Sequence, residues 1–267
     1  MPFIHANGIQ LYYEIKGNGL PLLIISGTGS DLRHPRPKDP PLMDFQVLRY
    51  DQRGLGQSDK PHTFYSMTDY ADDAEALLNK LGITQTNVLG ISFGGMVAQH
   101  LVIRHPQRVN RLVLACTSPG GSNYSSYDLR QIADNESDKI ESWLSILDSR
   151  YKNSFESLPI INGIKDYLLA SNQVFPNSVN GGLRRQLEAR SRHDCTENLR
   201  RVTHKTLIAG GRYDMIAPER NLAEMHQLIK HSNLKIFEGG HLFLLQDKSA
   251  WPEIISFLLS ESDTLKE

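Results

Sequence analysis

Gly90-Ile91-Ser92-Phe93-Gly94-Gly95 is the stretch on which the fold turns. It joins an apolar run suited to a strand, Asn87-Val88-Leu89-Gly90-Ile91, to a nearly all-apolar helical segment from about Phe93 to Arg104. The pattern Gly-x-Ser-x-Gly arises easily by chance, so its context carries the weight. A Ser on so tight a strand-to-helix turn must take a strained backbone, and flanking glycines remove the Cβ atoms that would clash. The strain lifts the hydroxyl above the sheet edge, at the positive end of the helix. A Ser that only capped the helix would need no glycine on either side. Ser92 is therefore the candidate nucleophile.

Outward from this turn, short apolar runs alternate with amphipathic helical patterns, as in a mostly parallel sheet covered by helices. Phe3 to Ala6 and Gln10 to Ile15 flank Asn7-Gly8, a hairpin turn signal. Pro21 to Ser26 and Phe45 to Tyr50 are the next two strand runs. Ser66 and Asp69 form a capping box for a helix whose apolar residues Tyr70, Ala74, Leu77, Leu78 and Leu81 recur at helical spacing before Gly82. Beyond the turn, Arg111 to Cys116 is a sixth strand. From about Pro119 to Val202 the strand signals vanish and helical patterns take over. Ile140, Trp143, Leu144, Leu147 and Tyr151 share one face, and shorter patterns lie at Ile164 to Leu169 and Leu183 to Leu187. Alternation then resumes with strand Thr206 to Ala209, a helix with Pro218 in its first turn, strand Leu234 to Phe237, and a last helix from about Ala250 to Leu259. The expected division is a core of residues 1–118 and 203–267 with a helical lid, 119–202, inserted after the sixth strand.

Composition narrows the function classes. The chain has 267 residues, enough to bury a large core without disulfides or structural metals. Hydrophobic residues make up 39% and charged residues 22%, as in ordinary soluble proteins. A formal net charge of −1 gives no pull toward nucleic acid or anionic lipid. Only Cys116 and Cys195 occur, and reduced thiols in the cytoplasm are the simpler reading. The first seven residues lack a basic start and a long apolar run, so no signal peptide is expected. No apolar stretch reaches the roughly 18 residues that a membrane span needs. The expected partner is a small-molecule substrate, handled by a monomer or homodimer.

A serine hydroxyl needs a base to take its proton, usually a His held by a carboxylate. Of the 10 histidines, His241 follows the last strand after Gly239-Gly240, at the edge where open α/β sheets place their chemistry. Asp214 follows the preceding strand in Gly210-Gly211-Arg212-Tyr213-Asp214, while Thr117-Ser118-Pro119-Gly120-Gly121 after the sixth strand offers no carboxylate. Alone, Asp214 could cap the helix before Pro218 and His241 could sit on the surface; with Ser92 in place they form a set in the order Ser, Asp, His. Backbone N–H groups that stabilise a developing oxyanion are expected at Phe93 and, in the loop Ser26-Gly27-Thr28-Gly29-Ser30, at Thr28. That loop could instead be a flexible glycine turn with no ligand. Asp51 to Ser58, with Arg53 at its centre, looks catalytic but is better explained as a structural turn in which Arg53 satisfies carbonyls or a carboxylate. His100 and His105 lie on or beside the apolar helix, and His226 and His231 on a peripheral one; His193, near the end of the lid, fits a solvated helix end better than the lining of a pocket, the other reading open to it. No spacing of His, Cys and Asp resembles a zinc site, so neither metal nor cofactor is expected.

These residues resemble the α/β-hydrolase superfamily: the elbow around Ser92, the Asp51–Ser58 loop, Asp214 before Pro218, and Gly240-His241. The likeness spans roughly residues 20 to 118 and 203 to 259. It implies the α/β-hydrolase fold, with a mostly parallel eight-stranded sheet, helices on both faces and a lid after the sixth strand. Gly94-Gly95-Met96-Val97-Ala98-Gln99 and His105-Pro106-Gln107-Arg108-Val109 are most similar to 3-oxoadipate enol-lactonases and related small esterases. The resemblance implies hydrolysis of a small carboxylic ester or lactone through an acyl-enzyme, with Ser92, Asp214 and His241 as the triad. Hydrolysis of a carbon–carbon bond in a vinylogous diketone is the alternative, since members doing this often carry Phe after the Ser, as at Phe93. A binding protein that kept the fold without catalysis is a third possibility. Two departures stand out: Ser26-Gly27 replaces the usual His-Gly, and His34-Pro35-Arg36-Pro37-Lys38-Asp39-Pro40-Pro41 is too rich in proline for the helix usually found there.

Overall fold

A computed structural model describes residues 2–33, 42–132, 136–151 and 181–260, with side chains omitted for 136–141. The chain-ordered elements are strands β1 (Phe3–Ala6), β2 (Ile9–Lys16), β3 (Leu20–Ile25) and β4 (Phe45–Tyr50), helix α1 (Met67–Lys80), β5 (Thr86–Ile91), α2 (Phe93–Arg104) and β6 (Val109–Ala115). Then come α3 (Glu136–Leu147), α4 (Gly181–Ser191), β7 (Thr206–Gly211), α5 (Glu219–Leu228), β8 (Ser232–Phe237), the short α6 (Phe243–Gln246) and α7 (Ala250–Leu259). Eight strands form one sheet in the order β1-β2-β4-β3-β5-β6-β7-β8. β1 and β2 pair antiparallel, as do β2 and β4; the rest of the sheet is parallel. The expected fold class is met.

Local chemistry explains the element ends. Asn7 and Gly8 turn the β1–β2 hairpin with φ of 48° and 76°, the pair of positive values that matches the twist of the strands. Ser66 caps α1 through the capping box with Asp69. Pro218 stands at the N-cap of α5, one position earlier than the first helical turn expected for it. Strand β3 divides the core by its period of two. Leu23 and Ile25 pack in the cluster that holds α1, α2 and α5, while Leu22 and Ile24 pack in the cluster under α7. Helices thus cover both faces.

Between β6 and β7 the described residues hold helices and isolated bridges but no strand. Leu144, Ile146 and Leu147 of α3 bury against Leu129 and Ile216, a small apolar cluster between this segment and the loop after β7. The side chain of Ile140, the pattern Ile164 to Leu169, and the proline-rich segment His34 to Pro41 lie outside the described residues. Among the described residues no helix is long and apolar enough to cross a membrane.

Candidate active site

Ser92 sits between β5 and α2 with φ 55° and ψ −115°, a backbone region that side chains rarely adopt. Close packing forces the glycines around it. A Cβ on Gly90 would lie 2.6 Å from the Gly95 Cα and 2.8 Å from the Ala98 Cβ. One on Gly94 would lie 2.7 Å from the Ser26 carbonyl oxygen, because the first turn of α2 presses on the end of β3. The Ser92 N–H donates to the Ala115 carbonyl at 2.8 Å, tying the elbow to β6. Its side chain makes no capping bond to the helix. The hydroxyl is left for another partner.

That partner is His241. Its Nε2 lies 2.9 Å from Ser92 Oγ, and its Nδ1 lies 2.7 Å from Asp214 Oδ2. An ionised carboxylate only accepts, so Nδ1 carries the proton and Nε2 presents its lone pair to the serine O–H. The other Asp214 oxygen, Oδ1, accepts the backbone N–H groups of Ile216 and Ala217 at 2.8 and 2.9 Å. Asp214 therefore serves the turn before α5 and the imidazole at once. All three side chains are buried. They come from the C-terminal ends of β5, β7 and β8, where a parallel sheet gathers its loops.

The segment between β6 and β7 reaches this set and its neighbouring loop through α3 and α4. At the end of α3, the Leu147 carbonyl accepts the His241 N–H at 2.6 Å, and the Ile146 carbonyl accepts the Met215 N–H at 3.1 Å. From α4, Gln186 Oε1 accepts the Gly29 N–H at 2.8 Å. Gly27 of the same loop is so close that a Cβ there would come 3.5 Å from the Ser92 Cβ. Thr28 lies between them, and among the described residues no hydrogen bond engages the backbone N–H of Thr28 or Phe93. Gln52 Nε2 donates to the Ser26 carbonyl at 2.9 Å, a second side-chain tie on the same loop.

Sequence reasoning missed Gln186 and Arg190. Both lie on α4, four residues apart and hence on one helix face, and both are buried. Arg190 Nη1 donates to the Tyr127 carbonyl at 2.6 Å, while its Nε and Nη2 have no partner among the described residues. Burial pulls the Arg190 guanidinium down to about 10, against the opposing fields of Asp128 and Asp214. Polar residues in an amphipathic helix ordinarily face water, so no sequence signal marked these two as buried. Thr28 Oγ1 and Gln186 Nε2 are likewise buried without a partner among the described residues.

Arg53 plays the structural part expected of it. Its Nε and Nη2 form a two-pronged bridge to Asp73 of α1 at 2.6 Å each, and Asn7 Nδ2 donates to Asp73 as well. Asp51 takes the backbone N–H groups of Leu32 and Gln57, pinning the loop. Burial is the main cause that raises the Asp51 carboxyl. His193 departs from expectation. It is buried rather than a solvated helix end, with Nδ1 3.2 Å from His100 Nε2 and Nε2 donating to the Ser118 carbonyl at 3.0 Å. Burial pushes His100 down to about 4 and His193 down to about 3, so both rings are neutral near pH 7.

Comparison with known proteins places the chain. The model of the alpha/beta hydrolase fold family matches residues 21–248. A 2-hydroxymuconate semialdehyde hydrolase of Pseudomonas putida is 26% identical, over 98% of this chain and 95% of its own length. A proline iminopeptidase of Pestalotiopsis fici is 28% identical, over 90% of this chain and 92% of its own. The crystal structure of the enol-lactonase from Burkholderia xenovorans LB400 superposes with a TM-score of 0.80 at 23% identity, covering 97% of this chain and all (100%) of that one. The matched span runs from β3 past His241 and takes in the elbow, Asp214 and His241, so the chain belongs to the α/β-hydrolase family.

Proposed function

We propose that the protein is a serine hydrolase that cleaves a small carboxylic ester or lactone through an acyl-enzyme. The observation that carries this reading is the unbroken chain Asp214–His241–Ser92, with bonds of 2.7 and 2.9 Å. Ser92 Oγ attacks the carbonyl carbon as its proton passes to His241 Nε2. The resulting imidazolium is stabilised by Asp214, and the oxyanion receives the N–H groups of Phe93 and Thr28. Collapse breaks the carbon–oxygen bond, and the departing alkoxide takes the proton from Nε2. Water then repeats the sequence on the acyl-enzyme, with His241 as base, and releases the carboxylic acid. In a lactone the alcohol stays tethered to the acyl group, so the product is one hydroxy acid.

Residues 119–202 act in this reading as a lid whose helices α3 and α4 close on the triad. The unpartnered polar atoms of Thr28, Gln186 and Arg190 favour a polar substrate, because buried donors and acceptors are normally satisfied. The two free donors of Arg190 suit a substrate that carries a carboxylate.

A second reading, hydrolysis of a carbon–carbon bond in a vinylogous diketone, is supported by the similarity to 2-hydroxymuconate semialdehyde hydrolases along nearly the whole chain and by Phe93 after the nucleophile. One experiment separates the possibilities. Purified protein is labelled with a fluorophosphonate, then assayed on nitrophenyl esters, a lactone panel with and without a free carboxylate, and a ring-cleavage diketone. Labelling lost in Ser92→Ala, with turnover of an ester or lactone, is the expected result. Turnover of the diketone alone would move the assignment to carbon–carbon hydrolysis. Absence of labelling in the wild type would sink the enzymatic reading and leave a binding protein.

A further inference from the structure

His100, His193 and Cys195 meet where the inserted segment returns to the core, and none of them hydrogen-bonds to Ser92, Asp214 or His241. We propose that these three side chains bind one zinc ion, which ties the end of the insertion to helix α2. The site would take a metal of intermediate softness, since a thiolate with two imidazoles disfavours magnesium and calcium.

Geometry carries the proposal. One ligand atom from each residue lies within 4.8 Å of the other two, and the two imidazole nitrogens are 3.2 Å apart. Around tetrahedral zinc, bonds of roughly 2.0–2.1 Å to nitrogen and roughly 2.3 Å to sulfur place two nitrogens about 3.4 Å apart and nitrogen and sulfur about 3.6 Å apart. The imidazoles already have that separation, and the thiol has at most about 1 Å to close, by rotation of its side chain. Orientation agrees. His193 donates its Nε2 proton to the Ser118 carbonyl, which fixes the tautomer and turns the Nδ1 lone pair toward His100. A backbone carbonyl behind a ligating imidazole is the usual outer support of a zinc ligand.

The backbone that carries the ligands is held on rigid elements. Residues 193–195 are bonded to residues 119–121: Cys195 N–H donates to the Pro119 carbonyl at 2.8 Å and Gly121 N–H to the His193 carbonyl at 3.0 Å. His100 stands on α2, whose first turn carries the nucleophile elbow. His193 and Cys195 are buried while His100 is half-buried, which leaves the cluster reachable from one side. On binding, the Cys195 thiol gives up its proton to solvent and the sulfur forms the metal bond. The His100 proton moves from Nε2 to Nδ1, freeing Nε2 as a ligand. Water takes the fourth position. The nearby Asp194 carboxylate, whose field acts on all three residues, offsets the positive charge that remains.

The test uses the full chain without a histidine tag, stripped with a chelator, dialysed, kept reduced, and titrated with Co2+ as a spectroscopic stand-in for zinc. The expected result is one equivalent bound, with a thiolate-to-cobalt charge-transfer band and the strong visible bands of a tetrahedral site, all bleached by Zn2+. Cys195→Ser should lose the charge-transfer band and His100→Gln the tetrahedral visible bands, with circular dichroism reporting the fold of each. His100 is the outermost ligand, so its variant keeps the test decisive if the serine variant fails to fold. Wild-type protein that binds no Co2+ would mean an ordinary hydrogen-bonded histidine pair and overturn the proposal. A charge-transfer band that survives in Cys195→Ser would overturn it too. Because the readout is spectral, either outcome is independent of whether the protein hydrolyses esters.

Discussion

Replacing Asp214 by Asn should abolish the base while leaving the fold intact, and the structure dictates how. Asp214 Oδ1 accepts two backbone N–H groups, from Ile216 and Ala217, while Oδ2 faces His241 Nδ1. An amide has one acceptor oxygen, and the two backbone donors demand it at the Oδ1 position. The NH2 group is thereby forced to the Oδ2 position, pointing at Nδ1. It donates there, so the imidazole must carry its proton on Nε2. Nε2–H then faces the Ser92 hydroxyl as a donor, and no lone pair is left to take the serine proton. A wrong tautomer of this kind costs about 10,000-fold in turnover, or about 5.4 kcal/mol of barrier. The assay is kcat on an ester that the wild type turns over, with 15N NMR of His241 to read which nitrogen bears the proton. The shape of the side chain is conserved, so the melting temperature should change little. A folded Asp214→Asn variant that keeps kcat within about tenfold of wild type would refute the argument.

Three further outcomes are expected. Asp73→Ala leaves the buried Arg53 guanidinium without its two-pronged partner and should cost about 3–5 kcal/mol by urea unfolding; a loss under about 1 kcal/mol would mean that Asp69, 3.5 Å from Arg53, takes over the charge. Gln186→Leu removes the acceptor for the Gly29 N–H, and the loosened loop should lower kcat about tenfold; unchanged kcat would show that this bond has no part in turnover. Burial raises the Asp72 carboxyl, but hydrogen bonds from Arg104 and His105 outweigh it and hold the group below its ordinary value. A depressed carboxylate stabilises above its unfolded pKa, and that contribution is lost as pH falls through the folded one. Asp72→Asn should therefore lower the melting temperature at neutral pH by no more than about 3 °C, and the difference should vanish in acid. A difference that grows in acid would show the sign to be wrong.

Sequence alone determined whatever is settled within a few residues. The hairpin at Asn7-Gly8 and the capping box at Ser66 and Asp69 are local demands of backbone geometry, and the glycines around Ser92, though required by packing against β3 and Thr117, are visible as a short pattern as well. The order Ser, Asp, His was legible too, because a parallel sheet sends each strand's exit loop to the same edge. The strand runs followed from periodicity. Tertiary structure decided what depends on distant segments meeting. Gln186 reaches Gly29 across 157 residues, and His100 reaches His193 across 93. No pattern in the chain links such pairs, since each polar residue sits in a helix or turn that would tolerate it facing water. Whether it is buried, and against which partner, is fixed only when the segment between β6 and β7 packs against the rest of the chain, for burial is a property of the packed molecule and spacing a property of the chain.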